Sequence, residues 1–142
     1  MPEEISVHDN RVLSFTVECQ ERSIRLSTEY YGISQSKTAY ERTDIHFAGV
    51  LAYHIEGDTL TTILFDIVEV PLPQLYEEYE ALFRQKKNYG WPGPDYGSGQ
   101  ELIDLLQADS IKAFRIHSSC GMEGFILAQE VRFSCQATVA PS

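Results

Sequence analysis

The amino-acid sequence predicts an α+β fold: a mostly antiparallel six-stranded sheet, curved into a half-barrel or sandwich-like layer, with two helices inserted between strands four and five. Three observations carry that expectation. Ahead of Pro71 the chain alternates apolar and polar residues or runs apolar, as strands do. Pro71 and Pro73 then stop the strand pattern, and apolar residues recur at three- and four-residue spacing. From Ile111 onward the strand pattern returns. Strands and helices are thus segregated along the chain, which favours short turns between antiparallel neighbours over parallel crossovers.

Taken in order, Arg11–Cys19 sets Leu13, Phe15, Val17 and Cys19 on one face and Ser14, Thr16 and Glu18 on the other. Gln20-Glu21 reads as the connection to Arg22–Tyr31, where Ile24, Leu26, Thr28 and Tyr30 alternate with Ser23, Arg25, Ser27 and Glu29. One wet face places this first hairpin away from the sheet centre. Gly32–Arg42 is polar and turn-rich, and reads as a surface loop. Thr43–Val70 carries the largest share of the apolar content and reads as the central hairpin, closed by Gly57-Asp58. Counting outward from that turn pairs Ile55 with Leu60, Leu51 with Leu64, Gly49 with Asp66 and His46 with Glu69. Both faces are then apolar in the middle, as in a strand pair covered on both sides.

Gln74–Lys87 predicts one amphipathic helix with Leu75, Tyr76, Tyr79, Leu82 and Phe83 along one stripe. Its early Glu77, Glu78 and Glu80 and late Arg84, Lys86 and Lys87 suit the helix dipole. A second helix over Gln100–Gln107 has Ser98 as its cap and Leu102, Ile103, Leu105 and Leu106 inward. Between the two lies Tyr89–Gly99, YGWPGPDYGSG, whose glycines and prolines exclude regular structure although it holds the only tryptophan. Ile111–Ser118 and Gly124–Cys135 form the closing hairpin. Residues 1–10 and 136–142 are expected to be loose ends of a single domain over 1–142.

Charge and cysteine usage exclude some function classes. The 142 residues include 21 acidic and 11 basic side chains, for a net charge of −10. Such a chain repels phosphate backbones, so nucleic acid is not an expected partner, and it meets basic partners quickly. No apolar run approaches the roughly 20 residues that span a bilayer. The acidic, polar opening MPEEISVHDN is unlike a signal peptide, and three cysteines without a CxxC spacing suit a reducing compartment. A cytoplasmic location is the expectation.

Residue types that could carry chemistry are present but scattered. No GxSxG, HExxH, P-loop or GxGxxG motif occurs. His46 and His54 share parity on one strand, yet lie about 26 Å apart at roughly 3.3 Å per residue, too far for one ion. No metal or other cofactor is expected. His117 lies three residues before Cys120 in HSSCG. Nearness in a hairpin turn supplies neither a base within reach nor an anion-stabilising environment, and Cys120 reads as a turn cysteine in place of a nucleophile. Asp66 interrupts ILFDIVEV, and a buried carboxylate needs a partner. Arg115 or Arg132 is the expected one, and a pocket-floor acid is the functional alternative.

The candidate binding surface is the aromatic loop, with Tyr89, Trp91, Asp95 and Tyr96, because loops held by a rigid sheet often bind and tryptophan and tyrosine often anchor interfaces. Its structural alternative has Trp91 folded inward as a plug. The leading expectation is a non-catalytic module that contacts a protein partner, basic if charge steers it. Its rival is a small-molecule binder or enzyme with a pocket near Asp66, aided by His46 and Glu69. A third reading is a homo-oligomer that pairs exposed strand edges. In size, acidity and lack of catalytic motifs the chain resembles, in general character, the immunity proteins with which bacteria neutralise basic toxins; the likeness covers no particular residue.

Overall fold

Among the described residues, backbone pairing gathers eight strands into one open sheet whose pairings are antiparallel. The computed structural model describes residues 10–30, 39–57 and 59–139. The strands are β1 (Asn10–Glu18), β2 (Ser23–Tyr30), β3 (Ala39–Ala48), β4 (Ala52–Glu56), β5 (Ile63–Val70), β6 (Lys112–Cys120), β7 (Glu123–Ala128) and β8 (Glu130–Val139). Three helices, α1 (Leu72–Glu78), α2 (Glu80–Lys87) and α3 (Gly99–Ala108), lie between β5 and β6 in the chain. The α+β class and antiparallel sheet are those the sequence predicts, with eight strands in place of six and three helices in place of two among the described residues.

The extra elements come from breaks in stretches that read as continuous. Gly49, at φ 63, bends the segment 39–56 into β3 and β4. A side chain at Gly49 would collide with that of Gln129, which separates β7 from β8. The Gln129 amide donates to the Ala48 carbonyl (3.0 Å) and the Gly49 carbonyl (3.2 Å), so the two long segments bend opposite one another. Beyond the bend β3 pairs β8 and β4 pairs β7. The helix over 72–87 breaks at Tyr79 (φ −112, ψ 24), where the Tyr79 ring packs on Phe125 with centroids 4.7 Å apart.

The expected central hairpin does not form. The sheet order is β4-β7-β6-β5-β1-β2-β3-β8, so β4 and β5 are not neighbours. Ile55 pairs Gly124 in place of Leu60, which is fully exposed. Asp66 pairs His117, not Gly49; Glu69 pairs Phe114, while His46 pairs Arg25 and Arg132. Apolar residues on both faces mark a buried strand but do not name its neighbours, and here the C-terminal strands supply them. Asp58, half of the expected turn, lies outside the described residues. β4 is an edge strand, and the strand buried on both faces is β7.

The first hairpin also moves. β1 and β2 lie between β5 and β3, well inside the sheet order, with one face still wet. A bulge between Val12 and Ser14 reverses the alternation and leaves Leu13 exposed, and Cys19 falls in the exposed turn. Ala39–Arg42, expected in a loop, belongs to β3, and Gln136–Val139, expected to be loose, belongs to β8. The rest of that loop, residues 31–38, and the ends 1–9 and 140–142 lie outside the described residues. Leu105 is exposed on α3, although Leu102, Ile103 and Leu106 are buried as the periodicity predicts.

Two hydrophobic clusters meet across β7. One is lined by the sheet itself and contains Ile24, Leu26, Ile45, Phe47, Leu64, Phe114, Ile116 and Ile126. The rings of Phe47 in β3 and Phe114 in β6 lie 5.7 Å apart although β5, β1 and β2 separate them in the sheet order, so the sheet is strongly curved. The second cluster packs Leu72, Leu75, Phe83, Leu102, Ile103 and Leu106 of the helices onto Ala52, Val70, Ala113, Phe125 and Leu127 of the strands. Glu78 on α1 pairs with Arg115 on β6 and ties the helical layer to the sheet. Among the described residues no helix is long and apolar enough to cross a membrane.

Candidate functional site

The aromatic loop joins α2 to α3 and is drawn under the end of α2. The amides of Tyr89 and Trp91 both point to the Lys86 carbonyl (3.0 and 3.3 Å), and the Gly90 amide donates to the Lys87 carbonyl at 3.1 Å. Its tip folds inward. The Trp91 ring packs on Phe83 (5.0 Å) and Phe125 (6.1 Å), with the Lys86 ammonium 5.4 Å from its centroid. Tyr96 is buried; its hydroxyl donates to the Phe83 carbonyl at 3.2 Å, and the Lys87 ammonium lies 5.0 Å above its ring. Ser98 then caps α3 by accepting from the Glu101 amide at 3.2 Å. Tyr89, at 85% exposure, and Asp95 stay outside.

Where the loop approaches β4 the contact is close. Gly93 has φ 145, a backbone conformation that side-chain-bearing residues rarely adopt, and a β-carbon there would stand 2.9 Å from Cδ1 of Leu51 and push that methyl aside. On the other side of β4 the turn between β1 and β2 comes up, and the Val50 amide donates to the Arg22 carbonyl at 2.9 Å. These three walls enclose a cleft of about 790 Å3. Its apolar floor draws on both clusters: Val17, Val50 and Ile55 pack against the sheet-lined one, Leu51 and Trp91 against the helical one.

Four consecutive residues of β4, Ala52 to Ile55, line this cleft. Successive side chains of a strand point to opposite faces, so a cleft on one face would take every second residue. One that takes all of them runs along the strand's edge. β4 is the terminal strand of the sheet and pairs with β7 alone among the described residues. Arg22 and Lys86 are the cations on the walls, Glu18 is the anion, and His54 adds a half-buried imidazole. No carboxylate among the described residues pairs with Arg22 or Lys86.

Of the residues singled out from sequence, Trp91 lines the cleft. Tyr96 lies beneath the loop, Tyr89 and Asp95 lie outside it, and Asp66 on β5 is not part of the wall. The expected partners of Asp66 are engaged elsewhere, Arg115 with Glu78 and Arg132 with Glu130. His46 and Glu69 are not neighbours, so no pocket acid or base is assembled from them. His117 pairs through Nδ1 with Glu123 (2.9 Å), and Cys120 sits exposed at the end of the same strand. No cluster of three or more His, Cys, Asp or Glu side chains placed to hold a metal ion occurs among the described residues.

Sequence reasoning missed Arg22, Lys86 and the edge of β4. Arg22 carries φ 53, a value uncommon for a residue with a side chain, and nothing local in RSIRLS announces it. Beside the cleft, Glu56 and Glu123 face each other across β4 and β7, with His54 Nε2 3.8 Å from Glu56. Burial pushes the Tyr79 phenol up from its ordinary value, and the two carboxylates push it further. No protein-family model, curated protein or solved structure matches the chain.

Proposed function

We propose that the protein is a binding module that takes an extended segment of a protein partner into this cleft, along the free edge of β4, with Trp91 as the aromatic anchor. The observation that carries the reading is the run Ala52–Ile55, four consecutive residues of the edge strand beside Trp91. An exposed sheet edge offers main-chain hydrogen bonds to an added strand, and pockets beside it select side chains. Trp91 is held by Phe83 and Phe125, so a partner meets an ordered ring and little entropy is lost on contact. The charge of −10 favours encounter with a partner whose surface around the segment is basic, as in the immunity-like reading.

The test uses a pool of random synthetic octapeptides captured on immobilised protein and read by mass spectrometry. Wild type is expected to enrich a subset, with slowed amide exchange over Ala52–Glu56. Trp91→Ala is expected to weaken the enriched peptides by about 10- to 100-fold, the loss of one interface anchor. Unchanged affinity in a folded Trp91→Ala variant, or no enrichment by wild type, ends the proposal.

A small organic ligand is the second reading, favoured by the cleft's volume, which lies within the roughly 300–1,000 Å3 of ligand pockets. Native mass spectrometry of the purified protein separates the two, since a retained stoichiometric small molecule supports the second. The small-ligand site then lies at Trp91 and not at Asp66.

A further inference from the structure

We propose that the segment taken into the cleft is a chain terminus: an extended tail laid antiparallel to β4, whose free C-terminal carboxylate is held by Arg22 and Lys86. The inference rests on the strand-addition reading above and adds the end and the charge of the ligand.

It starts from a local reversal of charge. The chain carries −10 overall, yet the cleft walls hold Arg22 and Lys86 against a single carboxylate, Glu18. Neither cation is ion-paired among the described residues, and Lys86 lies over the Trp91 ring, a contact that positions the ammonium without neutralising it. Two cations beside an apolar floor suit an anion attached to an apolar group. Lined as it is by Val50, Leu51 and Trp91, the site has little to offer a multiply charged, fully hydrated ligand such as a polyphosphate.

The direction of the strand supplies the rest. Arg22 is bound through its carbonyl to the Val50 amide, and Gly93, two residues after Trp91, lies against Leu51. The wall that carries Arg22 and the Gly93 end of the aromatic loop therefore both meet the chain just before β4, at the Ala52 end and not the Glu56 end, while Lys86 lies over the Trp91 ring of the same loop. A guest strand running antiparallel to β4 ends where β4 begins, so its last residue arrives at Arg22 and Lys86. A parallel guest would bring its amino terminus there, a positive charge against two others. Antiparallel addition of a free C-terminus satisfies the edge, the anchor and the charge together.

The same random octapeptide pool tests it, prepared with a free C-terminal carboxylate and, separately, as the C-terminal amide. Trp91 is the only tryptophan, so its emission reads affinity directly at the site. Free-acid peptides are expected to be enriched and to lose about 10- to 100-fold on amidation, the usual worth of a hydrogen-bonded charge. Arg22→Asn removes the charge with a residue that tolerates positive φ, and Lys86→Gln removes the ammonium. Each is expected to weaken the free acid and to leave the amide's residual binding unchanged, and Lys86→Arg is expected to retain the preference.

Equal binding of acid and amide overturns the terminus proposal while leaving strand addition intact. So does a strong preference for the acid that survives both charge-removing variants, because the carboxylate is then held elsewhere. Failure of both pools to bind removes the strand-addition reading itself.

Discussion

The two hydrophobic clusters share β7 but are built differently. Around the sheet-lined cluster Ile24, Leu26, Ile45, Leu64, Ile116 and Ile126 have no exposed surface at all, and the side chains are mostly aliphatic. The helical cluster has an aliphatic base of its own but adds a connected group of rings: Phe83, Phe125 and Tyr96 are buried, Tyr76, Tyr79 and Trp91 are half-buried, and Trp91 at its outer rim becomes part of the cleft wall. Aliphatic side chains fill a closed space tightly, whereas an aromatic ring can be packed on one face and still present an edge to a ligand. Both clusters thus reach the cleft floor, and the second also supplies its Trp91 wall. Phe125 and Ile126, adjacent on β7 and pointing to opposite faces, give the sharpest way to separate them.

Phe125 is fully buried and its ring meets those of Tyr79 (4.7 Å), His54 (5.9 Å), Phe83 (6.1 Å) and Trp91 (6.1 Å). Phe125→Ala is expected to cost about 3–5 kcal/mol and Ile126→Ala about 2–5 kcal/mol in denaturant unfolding, the range for truncated core side chains. The comparison is tested by a second reading on the folded variants. Trp91 emission should shift in Phe125→Ala and stay at the wild-type position in Ile126→Ala. An equal shift in both would mean that the clusters behave as one body.

Tyr96 sharpens the difference further, since its place under the loop depends on one polar atom. Tyr96→Phe keeps the ring but removes the donor to the Phe83 carbonyl. A stability loss of about 1 kcal/mol is expected, the net worth of one buried hydrogen bond. The same substitution should leave peptide capture by the cleft unchanged, because Tyr96 does not line it. A Tyr96→Phe variant as stable as wild type would show that packing and the backbone bonds to the Lys86 and Lys87 carbonyls hold the loop without the Tyr96 hydroxyl.

Alkaline pH is expected to act on the helical cluster first. The phenols of Tyr79 and Tyr96 are raised from their ordinary value, Tyr79 by burial and then by Glu56 and Glu123, Tyr96 by burial and then by Tyr76. In the unfolded chain they ionise near the usual value of about 10, before they do so in the fold. Their contribution is therefore fully present below about pH 10 and is lost as pH rises through the folded values. Denaturant unfolding from about pH 8 to about pH 11 should show that decline, and Tyr79→Phe combined with Tyr96→Phe should flatten it. A decline of the same steepness in the double variant would assign it to other groups.

What could be read from the sequence follows the same division. The cap at Ser98, the buried stripe Leu102, Ile103 and Leu106, and the α+β class all rest on local rules, and the fold obeys them. The pairing of Thr43–Val70 was not legible, because β4 and β5 each take a pairing partner, β7 and β6, from the far end of the chain. The double bend at Gly49 and Gln129 needs two segments in contact, which no single stretch reveals. The cleft was half legible: Trp91 stands out in YGWPGPDYGSG, but its other wall forms only because the β1–β2 turn reaches Val50.

Leu13 offers the smallest effect and a direct test of that limit. Strict alternation from Arg11 puts Leu13 inward with Phe15 and Val17, whereas the bulge after Val12 turns it out to 38% exposure. Leu13→Ser is expected to change stability by no more than about 0.5 kcal/mol, as surface substitutions usually do. An inward Leu13 would cost at least about 2 kcal/mol on losing its side chain. Because the bulge sets which face of β1 meets the sheet-lined cluster, a large loss would reassign Val12 as well as Leu13. A negligible one confirms that the sheet-lined cluster is sealed by Val12, Phe15 and Val17, one residue out of step with the alternation at its start.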